Sequence, residues 1–255
     1  MSLQACANLV ARADPDRFLA TMAAPVAARR TLFPIYAFNA EVARAPWVAS
    51  EPPIAEIRLQ WWRDALDEIG ASGAVRAHEV TTPLADVLDP DRAAVLDRLV
   101  AARRWDVYRD PFENAQHFSE YLDATGGGLM WVAAAALGAP RETEVTARDA
   151  GWAAGLSGFL RAVPELWARG RQPLLDDGDD ALKWLAEQGL DRLSRADVRR
   201  ADVPRAAAPA LLAGWQTRQV LKAAWADPGR VRDGRLEFSG ARKRLLLIRR
   251  SMAGW

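Results

Sequence analysis

Residues 152–167 read Trp152-Ala153-Ala154-Gly155-Leu156-Ser157-Gly158-Phe159-Leu160-Arg161-Ala162-Val163-Pro164-Glu165-Leu166-Trp167. Large apolar side chains recur in this stretch at steps of three and four residues, which is the period of an amphipathic helix. Residues 54–69 show the same period, and no segment alternates strictly between apolar and polar residues as a half-buried strand does. The sequence therefore predicts an all-α protein.

Proline and N-capping residues mark the helix boundaries elsewhere. Asp14-Pro15 begins a short helix, and Pro25 separates it from a second one that runs toward Arg44. The segment from Pro46 to Pro53 is a predicted loop. Further helices are predicted over 54–70, 90–107, 114–138, 142–169, 178–188, 205–226 and 240–252, with loops over 70–83 and 227–236. Because no internal repeat and no low-complexity linker divides the chain, we expect one domain over residues 1–255.

Composition and charge exclude several classes of protein. Of the 255 residues, 50% are apolar and 26% are charged, which is typical of a globular protein, and the net charge of +1 argues against a nucleic-acid partner. Cys6 is the one cysteine, so no disulfide forms within the chain. The sequence has neither a secretory signal at its start nor an apolar run long enough to span a bilayer. We therefore expect a cytoplasmic protein, either free or peripheral at the inner membrane.

Several segments, taken in order, resemble the squalene/phytoene synthase family. They are Phe18-Leu19, Arg29-Arg30, Ile35-Tyr36-Ala37-Phe38, Trp62, Tyr121, Gly126-Gly127-Gly128, Gly151, Leu160-Arg161 and Gly170-Arg171. The resemblance covers residues 15–175 and implies a single helical bundle of the isoprenoid synthase type around a central cavity. Enzymes of this family condense two prenyl diphosphates head to head, and two facing aspartate-rich motifs hold the Mg²⁺ ions that the reaction needs.

The first aspartate-rich motif of the family should follow Phe38, but its carboxylates are missing. The segment reads Asn39-Ala40-Glu41-Val42-Ala43-Arg44-Ala45-Pro46-Trp47. The alignment that the resemblance implies puts Ala43, Arg44 and Trp47 at the metal-binding positions. Glu41 is the one acid in this degenerate motif, and a single carboxylate does not replace the set.

The second motif should follow Leu160-Arg161 and is degenerate as well. The segment reads Ala162-Val163-Pro164-Glu165-Leu166, so Ala162 and Leu166 occupy the two aspartate positions and Glu165 alone is acidic. Because both clusters are lost, we expect no catalytic residue, no metal site and no cofactor. Mg²⁺ is expected only if a transferase activity persists.

One branch of the family is more similar to this chain than the synthases are. The segments Ala37–Ala43 and Glu56–Trp62 are similar to the branch that contains the mitochondrial respiratory complex I assembly factor and its bacterial relatives. The resemblance implies a non-catalytic protein that helps to assemble the NADH:quinone oxidoreductase and contacts subunits or assembly intermediates of that complex.

Two alternatives stay open beside the assembly role. One is a prenyl-diphosphate transferase that performs the head-to-head condensation with an altered arrangement of Arg29, Arg30, Glu41 and Glu165. The other is a carrier that holds an isoprenoid or other lipid in the cavity. The loss of both aspartate motifs favours a protein without enzymatic activity.

Basic and aromatic residues at family cavity positions have two interpretations. In the first, a phosphate or ligand cavity is lined by Arg29, Arg30, Tyr36, Tyr121, Arg161 and Arg171. In the second, which we favour, Arg29 and Arg30 form surface or interhelical ion pairs, Tyr121 is packed, and Arg171 lies at the surface. For the glycine run Gly126–Gly128 we favour close helix packing over a ligand contact.

The C-terminal segment also has two interpretations. Five positive charges surround four consecutive aliphatic residues between Ala241 and Arg250, and Met252 and Trp255 follow. This composition is typical of a helix that lies on an anionic membrane surface, a contact that would involve residues 241–255. It is also typical of a terminal helix that docks on the bundle through its leucines, which is the interpretation we favour.

Overall fold

The computed structural model describes residues 3–49, 51–71 and 73–252. Within these residues the chain forms α-helices and no β-strand. The helices are α1 (Leu3–Ala13), α2 (Pro15–Ala23), α3 (Val26–Val48), α4 (Pro52–Gly70), α5 (Thr81–Ala85), α6 (Pro90–Ala102), α7 (Ala115–Leu122), α8 (Gly128–Ala136), α9 (Glu144–Ala168), α10 (Asp179–Val198), α11 (Ala208–Leu211), α12 (Thr217–Ala226), α13 (Gly229–Arg232) and α14 (Gly240–Met252). The prediction of an all-α protein is confirmed.

Local sequence explains where several helices begin. The side chains of Asp14 and Asp89 accept hydrogen bonds from the backbone amides of Arg17 and Arg92, and in both cases a proline is the first helical residue. Asn114 caps α7 in the same way. These caps satisfy amides that have no partner inside the helix, so the capping residue and the proline together set the first turn.

Several predicted boundaries are wrong. α3 continues to Val48, so Pro46 lies inside a helix and not in a loop. α10 continues to Val198, well beyond residue 188. The helix predicted over 205–226 is interrupted, because Pro209 and Gly214 break its period into α11, a 3₁₀ turn and α12. The predicted loop over 227–236 contains the short helix α13.

The apolar core forms two main clusters, each built around one of the long helices α3 and α9. The first joins α3, α4, α6 and α8 through residues that include Leu32, Phe38, Leu59, Leu96 and Val132. The second joins α9, α10 and α12 through residues that include Leu156, Leu160, Leu182, Val220 and Leu221. α3 contacts α8, and α8 contacts α9, so both long helices are held in fixed positions within the bundle.

A π-helical turn at Asp123–Gly127 joins α7 to α8 and lies directly against α9. The backbones are so close that a Cβ added to Gly126 or to Gly151 would lie 2.5 Å from the carbonyl oxygen of the other glycine. A side chain at either position would therefore push the two segments apart. The prediction that the glycine run allows close helix packing is confirmed at Gly126.

The terminal helix α14 docks on the bundle. Leu246 and Leu247 pack against a small cluster formed by Ala20, Leu212 and Trp215, as the docking interpretation predicted. The alternative interpretation was a membrane contact through residues 241–255. The last three of these residues, 253–255, lie outside the described residues. In the described part of the chain, no helix combines the length and the apolar composition needed to cross a bilayer.

Candidate functional site

A cavity of about 470 Å³ lies between α3, α9 and the segment from Arg103 to Met130. The α3 side chains that line it follow one another at three- or four-residue steps and so share one face of the helix. They are Tyr36, Asn39, Ala43 and Trp47. From α9 the lining includes Gly151, Gly155, Phe159, Ala162 and Leu166. The inward-facing positions of the two degenerate motifs therefore line one cavity.

The two acidic residues that remain in the motifs do not line this cavity. Glu41 forms an ion pair with Arg44 on its own helix, with 3.3 Å between Oε1 and Nη1. Glu165 pairs with Arg169 at 2.6 Å, and its side chain is 68% exposed. Neither carboxylate faces the space in which a synthase motif would act.

One polar patch of the lining contains Asp14, Arg17, Tyr36 and Asn39. The Arg17 guanidinium lies 5.1 Å from the centre of the Tyr36 ring, and its Nη1 lies 2.8 Å from Asp14. The Tyr36 hydroxyl and the Asn39 Oδ1 are buried and have no hydrogen-bond partner among the described residues. Burial raises the pKa of Tyr36 to about 12, so the hydroxyl stays protonated at neutral pH. The patch therefore presents a hydroxyl, an amide and a guanidinium to a polar group inside the cavity.

A second polar patch is closed upon itself. The Tyr121 hydroxyl lies 3.0 Å from Asp106, and Arg103 lies 2.7 Å from that hydroxyl and 3.0 Å from the same carboxylate. Burial raises the pKa of Tyr121, which keeps its hydroxyl protonated as a donor. Tyr121 is packed, as predicted, and it also lines the cavity.

Arg171 binds the backbone next to this second patch and is not a surface residue. It is only 7% exposed, so the prediction of a surface position is wrong. Its guanidinium donates to the backbone oxygens of Trp105 and Asp106, both at 2.7 Å. It stacks 4.3 Å from the Trp105 ring and is not among the cavity-lining residues.

The other three arginines predicted at the cavity lie outside its lining, because other partners engage them or solvent surrounds them. Arg29 donates to the backbone oxygens of Met22 and Ala24, at 2.7 Å and 3.2 Å, where α2 ends. Arg30 is exposed. Arg161 forms ion pairs with Asp16 and Glu237 at the base of α14.

The lining does not offer the ligands that Mg²⁺ requires. The lining positions assigned to metal-binding aspartates hold two alanines, a leucine and a tryptophan, none of which carries an oxygen ligand, and Asn39 adds only one neutral amide oxygen. The two carboxylates of the lining have other partners, since Asp14 binds Arg17 and Asp106 binds Arg103 and Tyr121. Among the described residues, no three His, Cys, Asp or Glu side chains are placed to share a metal ion. The residues present do not fit the metal clusters of a synthase.

A smaller pocket adjoins the central cavity at Trp47. Trp47, Ala162 and Leu166 line both spaces, and the outer pocket, of about 320 Å³, also contains Glu165 and Arg169. The Arg169 guanidinium lies 4.8 Å from the centre of the Trp47 ring. A tryptophan held by a cation–π contact thus stands at one of the positions assigned to a metal-binding aspartate.

The cavity lining also contains three charged residues that were not predicted from the sequence, Arg17, Arg103 and Asp106. The signal for Arg17 is its position three residues after the Asp14 cap, which the capping hydrogen bond fixes. The run from Arg103 to Asp106 is a weaker signal, because charges beside a tryptophan at a helix end are usually solvated. Asp106 is only 5% exposed, and partners distant in the chain engage it, since Tyr121 binds its carboxylate and Arg171 binds its backbone oxygen.

Comparison with known proteins places this geometry in a family. The model of the squalene/phytoene synthase family matches residues 10–242. The chain belongs to the squalene/phytoene synthase family. The resemblance first recognised in the ordered motifs is therefore confirmed over most of the chain.

Solved structures of synthases share the fold of this family member. A dehydrosqualene synthase in complex with a ligand superimposes with a TM-score of 0.80, covering 98% of this chain and 95% of its own, at 16% identity. The squalene synthase HpnC from Alicyclobacillus acidocaldarius superimposes with a TM-score of 0.69, covering 87% and 92%, also at 16% identity. The predicted bundle of the isoprenoid synthase type is confirmed, and at this identity the likeness concerns the fold alone.

Curated relatives of this family member are named as assembly factors of complex I and not as synthases. The complex I assembly factor 6 homolog of Drosophila melanogaster is 30% identical over 171 residues, which is 62% of this chain and 50% of the relative. Complex I assembly factor 6 of Bos taurus is 25% identical over 179 residues, which is 65% and 50%. The chain spans about half the length of the curated relatives it matches.

Proposed function

We propose that this family member is a non-catalytic assembly factor for respiratory complex I, the NADH:quinone oxidoreductase. The observation that carries the proposal is the cavity lining, where Ala43, Trp47, Ala162 and Leu166 stand at positions assigned to metal-binding aspartates. Ionising an allylic diphosphate requires divalent cations to take up the charge of the leaving group, and these residues hold none. The relatives named as complex I assembly factor 6 support the choice of partner.

In this proposal the partners are subunits or assembly intermediates of complex I. The protein works in the cytoplasm as a peripheral protein of the inner membrane, where a membrane-bound oxidoreductase is put together. The bundle then serves as a rigid body whose surfaces contact the intermediates, while its cavity performs no chemistry.

A prenyl-diphosphate transferase with an altered site has less support. That alternative requires Arg29, Arg30, Glu41 and Glu165 to act together. Glu41 and Glu165 are paired with arginines of their own helices, and Arg29 binds backbone oxygens at the end of α2. None of the four is among the residues that line the cavity.

A diphosphate-release assay tests the loss of catalysis. Farnesyl and geranylgeranyl diphosphate are incubated with the full chain, with and without Mg²⁺, beside a squalene synthase as positive control. We expect no metal-dependent release of diphosphate. Turnover that requires Mg²⁺ and is lost in Glu41→Gln or Glu165→Gln would contradict the proposal and support the transferase.

A deletion strain tests the assembly role directly. We expect membranes of the strain that lacks this gene to lose NADH:quinone oxidoreductase activity and to accumulate partly assembled complex, and we expect the wild-type gene to restore both. Succinate:quinone oxidoreductase activity, measured in the same membranes, is the control for general damage. Normal NADH oxidation in the deletion strain would overturn the assembly role.

The first polar patch supports a second candidate, a carrier for an isoprenoid or other lipid with a polar head group. Tyr36 and Asn39 are 2% and 7% exposed, and each carries an orphaned polar atom at the cavity wall beside Arg17. Such atoms cost free energy unless water or a ligand binds them. We expect mass spectrometry of the gently purified protein to detect a lipid that is lost in a Tyr36→Phe/Asn39→Leu double variant and kept in Tyr108→Phe. Protein free of lipid in every preparation would rule out the carrier.

A further inference from the structure

The inner face of α14 docks on the bundle through partly buried side chains. Leu246 and Leu247 pack on α2 and on the 3₁₀ turn that precedes α12. Lys243 Nζ lies 3.1 Å from both carboxylate oxygens of Asp16 and 2.9 Å from Glu237. These contacts fix the rotation of the helix about its axis, so its opposite face points away from the protein.

That outer face carries an apolar stripe. Leu245 is 62% exposed, Ile248 is 53% exposed and Met252 is 82% exposed. At 3.6 residues per turn, the spacing of three and four residues puts all three on one side of the helix. The docked leucines and Lys243 lie on the other side. Three neighbouring exposed apolar side chains on one helix face are the mark of an interaction surface, whereas single ones are ordinary.

Basic residues flank the stripe on both sides. Arg242 and Arg249 lie along one edge and Arg244 lies along the other, as the helical spacing requires. α14 itself contains no acidic residue. Within the part of the chain that the structure describes, none of these three arginines forms an ion pair. The outer face is therefore apolar along its middle and positively charged along its edges.

We propose that the outer face of α14 binds the surface of an anionic phospholipid bilayer. The helix lies parallel to the membrane, the three apolar side chains enter the boundary between head groups and acyl chains, and the arginines bind lipid phosphates. A second copy of the chain is a poor occupant, because two such faces would bring like charges together. An acidic protein segment is the other occupant, and the experiment separates it from lipid. The inference adds a contact to the proposed function and does not depend on it.

Vesicle flotation with the full chain tests the proposal. The vesicles are pure phosphatidylcholine or an equal mixture of phosphatidylcholine and phosphatidylglycerol, at low and at raised ionic strength. We expect binding to the mixed vesicles at low salt, at least about tenfold weaker binding to pure phosphatidylcholine, and weaker binding when salt screens the charges.

Matched variants locate the contact. Leu245→Ser/Ile248→Ser and Arg244→Glu should each weaken binding to the mixed vesicles by about tenfold or more. The controls are Ile57→Ser, at a position on α4 that is 69% exposed, and Arg58→Glu beside it, which should both bind as the wild type does. All four changes are at exposed positions, and circular dichroism melting checks that each variant is folded.

Three results would overturn the proposal. Equal binding to both kinds of vesicle would remove the role of the anionic lipid. An equal loss of vesicle binding in the α4 control variants would show that the membrane contact is not specific to α14. No binding to either vesicle would leave an acidic protein segment as the occupant of this face.

Discussion

The hydroxyl of Tyr121 on α7 donates a hydrogen bond to the carboxylate of Asp106, with 3.0 Å between the two oxygens. Tyr36 lines the same cavity from α3, but its buried hydroxyl has no hydrogen-bond partner among the described residues. Both rings are almost completely buried, at 5% and 2% exposure. The protein therefore supplies a hydrogen-bond partner for the Tyr121 hydroxyl and none, among the described residues, for the Tyr36 hydroxyl.

Removing each hydroxyl should have opposite effects on stability. Tyr121→Phe removes one of the two side-chain donors to the buried Asp106 carboxylate and leaves Arg103 as the other, so we expect the free energy of unfolding to fall by about 1–3 kcal/mol. Tyr36→Phe removes an unsatisfied polar atom, so we expect stability to stay the same or to rise by less than about 1 kcal/mol. Urea denaturation of both variants at neutral pH measures the difference. Equal losses would mean that water or a ligand satisfies the Tyr36 hydroxyl.

The sequence predicts the face on which the first motif lies, because helical spacing alone settles it. Asn39, Ala43 and Trp47 are four residues apart, and all three line the cavity. Arg44, one residue out of step, points elsewhere, and its side chain is 54% exposed. Periodicity therefore identifies which substituted positions face the cavity, although the family alignment had grouped Arg44 with them.

Close packing at the glycines of α9 gives a second prediction. A Cβ added to Gly151 would lie 2.5 Å from the Gly126 oxygen and 2.8 Å from the Cβ of Met130, whereas a Cβ added to Gly158 meets nothing within 4 Å. We expect Gly151→Ala to destabilise the protein by about 1–3 kcal/mol through overpacking. Gly158→Ala, in the same helix, should stabilise it by about 0.5–1 kcal/mol because alanine is the better helix former. Thermal and urea unfolding of both variants measure the changes. A stable Gly151→Ala variant would show that α9 and the π-helical turn are free to separate.

The roles of the arginines were not predictable from sequence, because they depend on which carboxylates the fold brings near. Arg161 and Arg171 both sit in motifs that match the family. Arg161 pairs with Asp16 and Glu237, which are 145 and 76 residues away in the chain. Arg171 binds backbone oxygens 65 and 66 residues away. Local sequence carries no information about such partners, and the same holds for the pairing of Arg103 with Tyr121.

The ion-pair network at the base of α14 predicts a loss of stability in acid. Burial opposes the charged form of Asp16, but hydrogen bonds from Gln216, Lys243 and Arg161 lower its pKa below the usual value. The pKa of Glu237 is lowered in the same way, by Lys243 and Arg161 acting against burial. A carboxyl whose pKa is lowered by folding stabilises the native state fully above its unfolded pKa, which is near pH 4. The stabilisation is lost as the pH falls through the lower, folded pKa.

An asparagine variant isolates this contribution. Asp16→Asn should be less stable than the wild type at neutral pH. The difference should begin to shrink below about pH 4, where the carboxyl of the unfolded wild type takes up a proton, and should disappear below the lower pKa of the folded state. Urea unfolding at a series of pH values measures it, with Glu187→Gln at an exposed position of α10 as the control. A difference that stays constant down to the lowest pH would show that the network does not depend on the charge of Asp16.

Trp47 gives the last prediction, which concerns access to the cavity. Its ring, held 4.8 Å from the Arg169 guanidinium, lines both the central cavity and the outer pocket, and it is 36% exposed. Replacing it with alanine should join the two spaces and let a small apolar molecule enter more easily. We expect Trp47→Ala to take up an environment-sensitive naphthalene fluorophore several-fold faster than the wild type in stopped-flow measurements. Trp225→Ala, at a position on α12 that is 50% exposed and outside the cavity lining, is the matched control. Uptake that is unchanged in Trp47→Ala, or equally faster in Trp225→Ala, would show that this tryptophan does not control entry.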